Sequence, residues 1–322
     1  MWSLNLRLSL LLILFFGLIY AIVVVFSYLL GITSFAFYVV LALFIMAFQY
    51  LIGPKIVEWT MRVKYVSKIE APQLFEIVEN LSKKAKIPTP KVGISAWHIP
   101  NAFAFGRSLK DGKVCVTQGI LNLLNKEELS AVLGHELSHL KNRDVLFITF
   151  LSVIPLILYR IAFHLLFFGS FSRRRESQGY TFLLGIGALL LYFISNLLVL
   201  YASRIREYFA DKGSVELGNH PSSLASALYK LVYGSAKLPR ENLRELEGIK
   251  AFFLNDISKS RKEITELAQL DLDKSGTIDP YELKQLQKKK IRLSFSDKLL
   301  EAMSTHPNML KRIKQLSLYQ RY

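Results

Sequence analysis

The chain is poor in cysteine, poor in acid and, over long stretches, without charge. Its 322 residues include one cysteine, Cys115, so no intramolecular disulfide can form. A disulfide-built scaffold is excluded, and the lone thiol suits a reducing compartment. It sits in an apolar, strand-like stretch and reads as a buried structural thiol rather than a nucleophile. Asp and Glu number 25 against 41 Lys and Arg, a net charge of +16. Such an excess would suit a nucleic-acid binder, but no nucleic-acid-binding signature accompanies it. The basic residues lie mostly outside the apolar runs and beside them, where the positive-inside rule and anionic headgroups account for them. No internal repeat or low-complexity tract is present, which excludes a solenoid.

Charge is missing altogether from residues 9–31, 33–53 and 181–202. Each run reaches the ~20 residues that cross a hydrocarbon core of ~30 Å. A further apolar run, roughly 145–171, holds Pro155, Arg160 and His164. Hydrophobic residues make up 52% of the chain and the mean hydropathy is +0.30. The first run exceeds a signal-peptide core of about 7–15 residues and flows into the second, so an anchored hairpin is expected rather than a cleaved leader. Lys55, Arg62, Lys64 and Lys68 follow the second run and assign that side to the cytoplasm. Arg173–Arg175 at the tip of the later hairpin conflict with the same rule. Either that hairpin crosses despite them or it dips without crossing.

Between the runs, residues 71–87 have helical spacing. The stretch 89–120 reads as short strands broken by Pro, Gly and the "KDGK" turn. Asn125 offers an N-cap, with Glu128 three residues on. The helix it opens carries "GHELSHLKNRD", residues 134–144. His135 and His139, four apart, put two imidazoles on one helical face. At that spacing they can take adjacent corners of a tetrahedral zinc site. Glu136, ~100° round the helix, can reach a water there as general base. A chance H-E-x-x-H match among six histidines is the competing reading. A catalytic zinc needs a third protein ligand. "REYFAD" offers Glu207, with Asp211 one turn later as a partner for a histidine ring N–H. The same pair also reads as a solvated face matched to Arg204, Arg206 or Lys212.

Taken together, these marks resemble the HtpX-type membrane zinc metallopeptidases, relatives of the CAAX prenyl proteases. They are two N-terminal apolar runs, "NAFAFG" at 101–106, "GHELSHLKNRD", a hydrophobic hairpin, "SRIREYFAD" at 203–211 and "STHPNMLKRI" at 304–313. The resemblance covers nearly the whole chain. It implies one zinc held by His135, His139 and Glu207, with Glu136 as catalytic base and Asp211 supporting a ligand. It further implies His306 beside the site, supported by Arg312, stabilising charge that develops in the transition state. "NAFAFG" becomes an edge strand on which an extended peptide docks, with Asn101, Ala102 and Phe103 as substrate-binding residues.

The expected fold is mainly α with a small β-sheet: a multi-pass helical membrane protein with a zincin-like (HExxH) catalytic domain. Residues 1–54 form an N-terminal transmembrane hairpin and 55–144 the first part of a cytoplasmic catalytic domain. Residues 145–202 form a second hydrophobic hairpin and 203–322 the remainder of the catalytic domain. Expected partners are the lipid bilayer of the plasma membrane and unfolded or membrane-protein substrates. The oligomeric state is left open. Rival readings are a CAAX-type prenyl-protein protease, a catalytically silent zinc- or calcium-binding membrane scaffold, and a metal transporter.

One segment departs from the family pattern. "DLDKSGTIDPYE", 271–282, fits an EF-hand calcium loop. Asp271, Asp273, Ser275, the Thr277 carbonyl, Asp279 and Glu282 take the ligand positions, and Gly276 the sharp turn. The alternative is an acidic turn capping the helix that follows, and no second EF-hand copy is present.

Overall fold

The structure is a computed structural model that describes residues 35–167, 175–236, 267, 269–288 and 294–319. The apolar run 9–31 lies outside the described residues, as do residues 168–174 of the second hairpin's tip. Helix α1 (Phe35–Thr60) carries the second apolar run on through Pro54. Strand β1 (Val63–Tyr65) follows within the basic stretch, where no strand pattern announces it. Helix α2 (Pro72–Ala85) opens with a proline, whose missing N–H is unneeded in a first turn. It buries Leu74, Ile77, Val78, Leu81 and Ala85, one stripe at helical spacing.

Strands β2 (Lys91–Ser95), β3 (Ala102–Phe105) and β4 (Lys113–Thr117) join β1 in a four-stranded sheet of order β1-β2-β4-β3. β2 and β4 run parallel; the two outer pairings are antiparallel. Alternation along β4 splits its side chains between two cores. Val114 and Val116 enter the main helical core, while Cys115 packs with Phe103, Phe105, Val57 and Met61 beneath the sheet. Cys115 is fully buried, and burial pushes its thiol up, as expected of a structural residue. β3 forms an edge of the sheet, as "NAFAFG" was expected to.

Helix α3 (Gln118–Leu123) leads to α4 (Lys126–Lys141), which starts with the expected capping box. Asn125 Oδ1 accepts from the Glu128 N–H at 2.8 Å, and Glu128 Oε2 from the Asn125 N–H at 3.0 Å. The third apolar run is two helices, α5 (Asp144–Leu151) and α6 (Val153–Phe167). The break falls before Pro155, which cannot donate to the carbonyl of Leu151. The fourth run belongs to α7 (Arg175–Glu216), one helix of 42 residues that continues well past the apolar stretch. Among the described residues, Asp144–Phe167 and Gly179–Glu216 are long and apolar enough to cross a membrane. Phe150, Leu183, Leu184, Leu190 and Leu198 stand exposed along them.

Helices α8 (Pro221–Ala236), α9 (Pro280–Lys288), α10 (Phe295–Ala302) and α11 (Met309–Ser317) complete the described chain. Their apolar faces close the core around α4: Leu224, Leu228, Leu231, Leu283, Leu286, Met309 and Ile313 are buried there. The result is mostly helical, with one small mixed sheet flanking the central helix.

Candidate metal centre

The site forms where α4 crosses α7, and two glycines set how closely they approach. A Cβ on Gly134 would come within 2.4 Å of Asn219 Nδ2, and one on Gly213 within 2.3 Å of Ser138 Oγ. The Ser214 hydroxyl donates to the Ala131 carbonyl at 2.6 Å across the same crossing. This contact brings residues 135–139 against residue 207.

His135 Nε2 and His139 Nε2 lie 3.1 Å apart. Glu207 offers Oε2 at 3.6 Å from the first and Oε1 at 3.6 Å from the second. All three side chains therefore point donor atoms into one small volume, within 4.8 Å of one another. The other nitrogen of each ring is already engaged. His135 Nδ1 lies 2.9 Å from Asp211 Oδ1, and His139 Nδ1 lies 2.6 Å from Asp144 Oδ2. A carboxylate on Nδ1 fixes the tautomer that leaves the Nε2 lone pair free. Two imidazoles and one carboxylate form a donor set that suits zinc. Glu207 Oε2 is buried and makes no hydrogen bond, only an ion pair with Arg312 at 3.1 Å, which leaves it able to take a metal ion.

The alternative of a solvated Glu207–Asp211 face is overturned. Both residues are buried, and their cationic partner is Arg312, 101 residues beyond Asp211. Arg312 Nε and Nη2 grip Asp211 at 3.0 and 2.7 Å, while Nη1 lies 3.1 Å from Glu207 Oε2. Arg312, expected to support His306, braces the two carboxylates and shares Glu207 with His306. His306 does reach the site, its Nδ1 3.3 Å from Glu207 Oε1.

Electrostatics separate the two glutamates. Burial pushes the Glu136 carboxyl up to about 7, and the Glu207 charge adds to it against the pull of His139. Burial alone would raise Glu207 as well, but His306 and Arg312 hold it well below the usual carboxylate range. Burial lowers the His135 imidazole, which favours its neutral, ligating form despite Asp211. The site thus pairs an ionised Glu207 with a Glu136 carboxyl poised near neutrality.

The sheet edge reaches the same place. The Glu136 carboxyl accepts from the backbone N–H of Ala104, so the open edge of β3 faces α4. Asn101 is fully buried and its N–H donates to Thr117 Oγ1 at 2.8 Å. Ala102 and Phe103 are buried too. What these residues can offer an incoming chain is strand backbone rather than side chains.

Asp144 was not foreseen as a site residue, although its place five residues after His139 is written in the motif. Neither was Arg206, which pairs with Asp144 and has its guanidinium over the rings of Phe147 and Phe209. In the acidic loop, Asp271, Asp273 and Glu282 bring carboxylate oxygens within 4.8 Å. Gly276 adopts φ +81°, and the Tyr229 hydroxyl donates to Asp271 Oδ2 at 3.1 Å, docking the loop on α8. Asp279 Oδ1 accepts from the Glu282 N–H at 2.7 Å and Glu282 Oε2 from the Asp279 N–H at 3.1 Å, so the helix-capping reading also holds. Ser275 and Thr277 join their hydroxyls at 2.9 Å within the loop.

Residues 68–320 match the model of peptidase family M48. A protease HtpX homolog of Methanothermobacter thermautotrophicus is 54% identical over 231 residues, 72% of this chain and 86% of the relative. A protease HtpX homolog 2 of Methanosarcina acetivorans is 42% identical over 211 residues, 65% of this chain and 71% of the relative. The crystal structure of S. mikatae Ste24p overlays with a TM-score of 0.49 at 17% identity, covering 98% of this chain and 67% of that one.

Proposed function

The chain belongs to peptidase family M48, and from that premise we propose that it is a membrane-bound zinc endopeptidase acting on misfolded or damaged membrane proteins at the cytoplasmic surface. The convergence of His135 Nε2, His139 Nε2 and Glu207, with each ring's other nitrogen tied to an aspartate, carries the zinc reading. Zinc held there supplies Lewis acidity, lowering the pKa of water towards ~7 and polarising a peptide carbonyl. Glu136 takes the proton from the attacking water and returns it to the leaving amine nitrogen. Its position near neutrality suits both transfers. His306 stands on the Glu207 side, where negative charge grows on the carbonyl oxygen and a hydrogen-bond donor would stabilise it. The β3 edge receives an extended chain by strand addition, which selects for unfolded segments.

The two apolar helical stretches support residence in the plasma membrane, with lipid as a standing partner. Four apolar runs in 322 residues are fewer than the chamber-enclosing CAAX-type alternative requires. Digestion of casein or a membrane-protein substrate in detergent tests the reading. Zinc-loaded protein should cleave, whereas zinc-free protein should not. Glu136→Gln should keep zinc and lose cleavage. Confirmed zinc binding without any cleavage would favour the scaffold reading.

The acidic loop supports a second, separate cation. We propose that Asp271, Asp273, Ser275, Thr277, Asp279 and Glu282 take Ca²⁺ or Mg²⁺, since their spacing and converging carboxylates suit a hard oxygen-liganded ion. Calorimetric titration of the full chain should show saturable uptake that Glu282→Gln removes. No heat at millimolar Ca²⁺ or Mg²⁺ would end the idea.

A further inference from the structure

Three residues before Glu207 on α7, Arg204 makes a set of contacts that metal chemistry does not require. Its Nη1 donates towards three backbone carbonyls: Glu301 at 2.9 Å, Ala302 at 2.9 Å and Ser304 at 2.7 Å. These are the last carbonyls of α10 and the turn beyond it, where helical pairing runs out; the Glu301 carbonyl also accepts from the Ser304 N–H at 3.0 Å. A buried guanidinium also suits the negative end of the helix dipole. The turn it holds leads directly to His306, whose N–H donates to Ser304 Oγ at 3.4 Å. Its imidazole then returns to Glu207 on the helix that carries Arg204. Residues three apart on a helix share a face, so one side of α7 holds both the ligand carboxylate and the clamp on the loop facing it.

We propose that Arg204 is the positioning residue for His306. It grips the end of α10 so that the 303–307 turn cannot drift from Glu207. The His306 part of this rests on the peptidase reading above; the clamp itself does not. A clamp on α7 moves with Glu207, so any displacement of the helix carries ligand and histidine together. Arg312 ties α11, on the far side of the turn, to Glu207 and Asp211 of the same helix, so Arg204 holds the near side and His306 lies between the two.

The test uses full-length protein in detergent, as wild type, Arg204→Gln, Arg204→Lys, His306→Ala and the Arg204→Gln/His306→Ala double variant. In zinc-free protein, amide hydrogen exchange over 301–308 should speed up about tenfold or more in Arg204→Gln, the scale of losing charge-assisted bonds. Exchange in α4 should stay unchanged. Arg204→Lys should recover part of the protection. Zinc affinity, read by competition with a chelator, should stay within about threefold. With zinc, kcat should fall on the order of 10–100-fold at little-changed KM, the cost of misplacing a group by ~1 Å. The double variant should be no slower than His306→Ala alone. Unchanged exchange over 301–308 overturns the clamp. Additive loss in the double variant, or a rise in KM alone, overturns its action through His306. If zinc-loaded wild type cleaves nothing, the peptidase reading fails, while the exchange data still decide the clamp. Should Arg204→Gln not fold, the same exchange and kinetic comparison with Arg204→Lys decides it.

Discussion

His135 and His139 each turn Nδ1 to an aspartate, and each aspartate is gripped in turn by an arginine. The inner series, His135–Asp211–Arg312, is drawn from α4, α7 and α11, and its Asp and Arg have no exposed surface. The outer series, His139–Asp144–Arg206, sits where α4 gives way to the apolar hairpin, and Arg206 keeps 20% of its side chain exposed. The chemistry is the same and the surroundings differ. The inner series belongs to the core, so its charges depend on one another. In the outer one, the carboxylate that orients His139 is also the first residue of a helix of the apolar hairpin. The orientation of His135 is thus set by core packing and that of His139 by how the apolar hairpin leaves α4.

The largest expected difference lies in stability. Arg312→Ala leaves Asp211 and Glu207 buried without their cation, which costs about 3–5 kcal/mol. Arg206→Ala, at a site with partial access to water, should cost about 1 kcal/mol or less. Denaturant unfolding of zinc-free protein measures both, and equal losses would break the contrast. Next comes metal affinity. Asp211→Asn and Asp144→Asn should each weaken zinc binding by about 10–100-fold, with Asp211 the greater. A hairpin released from its packing should reproduce the Asp144 effect and leave that of Asp211 untouched. Chelator competition distinguishes the two.

Acid response is subtler. Burial opposes ionisation of Asp211, yet Arg312 and His135 hold its carboxyl below the usual value. A depressed folded pKa stabilises fully above the unfolded value, near ~3.9, and that stability drains away as pH falls below it. Removing Arg312 leaves burial dominant, raises the folded pKa above the unfolded one and reverses the sign. Arg312→Ala should therefore gain stability relative to wild type on mild acidification. Acid titration of unfolding shows this. Smallest of all, Glu216→Gln breaks only the exposed Lys212–Glu216 pair and should leave stability at the wild-type value.

What could be read from the sequence was local. The capping box, the paired histidines, the strand stretch 89–120 and Glu207 all rest on spacings of a few residues, and each has its place in the structure. β1 escaped because three residues in a basic stretch carry no alternation to detect. Arg312 and Arg204 escaped in their true roles because their partners lie about 100 residues away. Asp144 was visible in the quoted motif, but no helical spacing rule tied it to His139. Pro155 marked the third run as irregular, and the structure turns that mark into a break between α5 and α6.

The length of α7 has a mechanical consequence. At ~1.5 Å per residue its 42 residues extend about 63 Å, roughly twice a hydrocarbon core of ~30 Å. With 181–202 in the bilayer as proposed, the remainder projects like a lever arm with Glu207 on it. Helices answer a thickness mismatch by tilting, and a tilt at the lipid end is magnified along a stiff rod. Membrane thickness would then act as a dial on the catalytic centre, a quantity no soluble domain cut from this chain would feel.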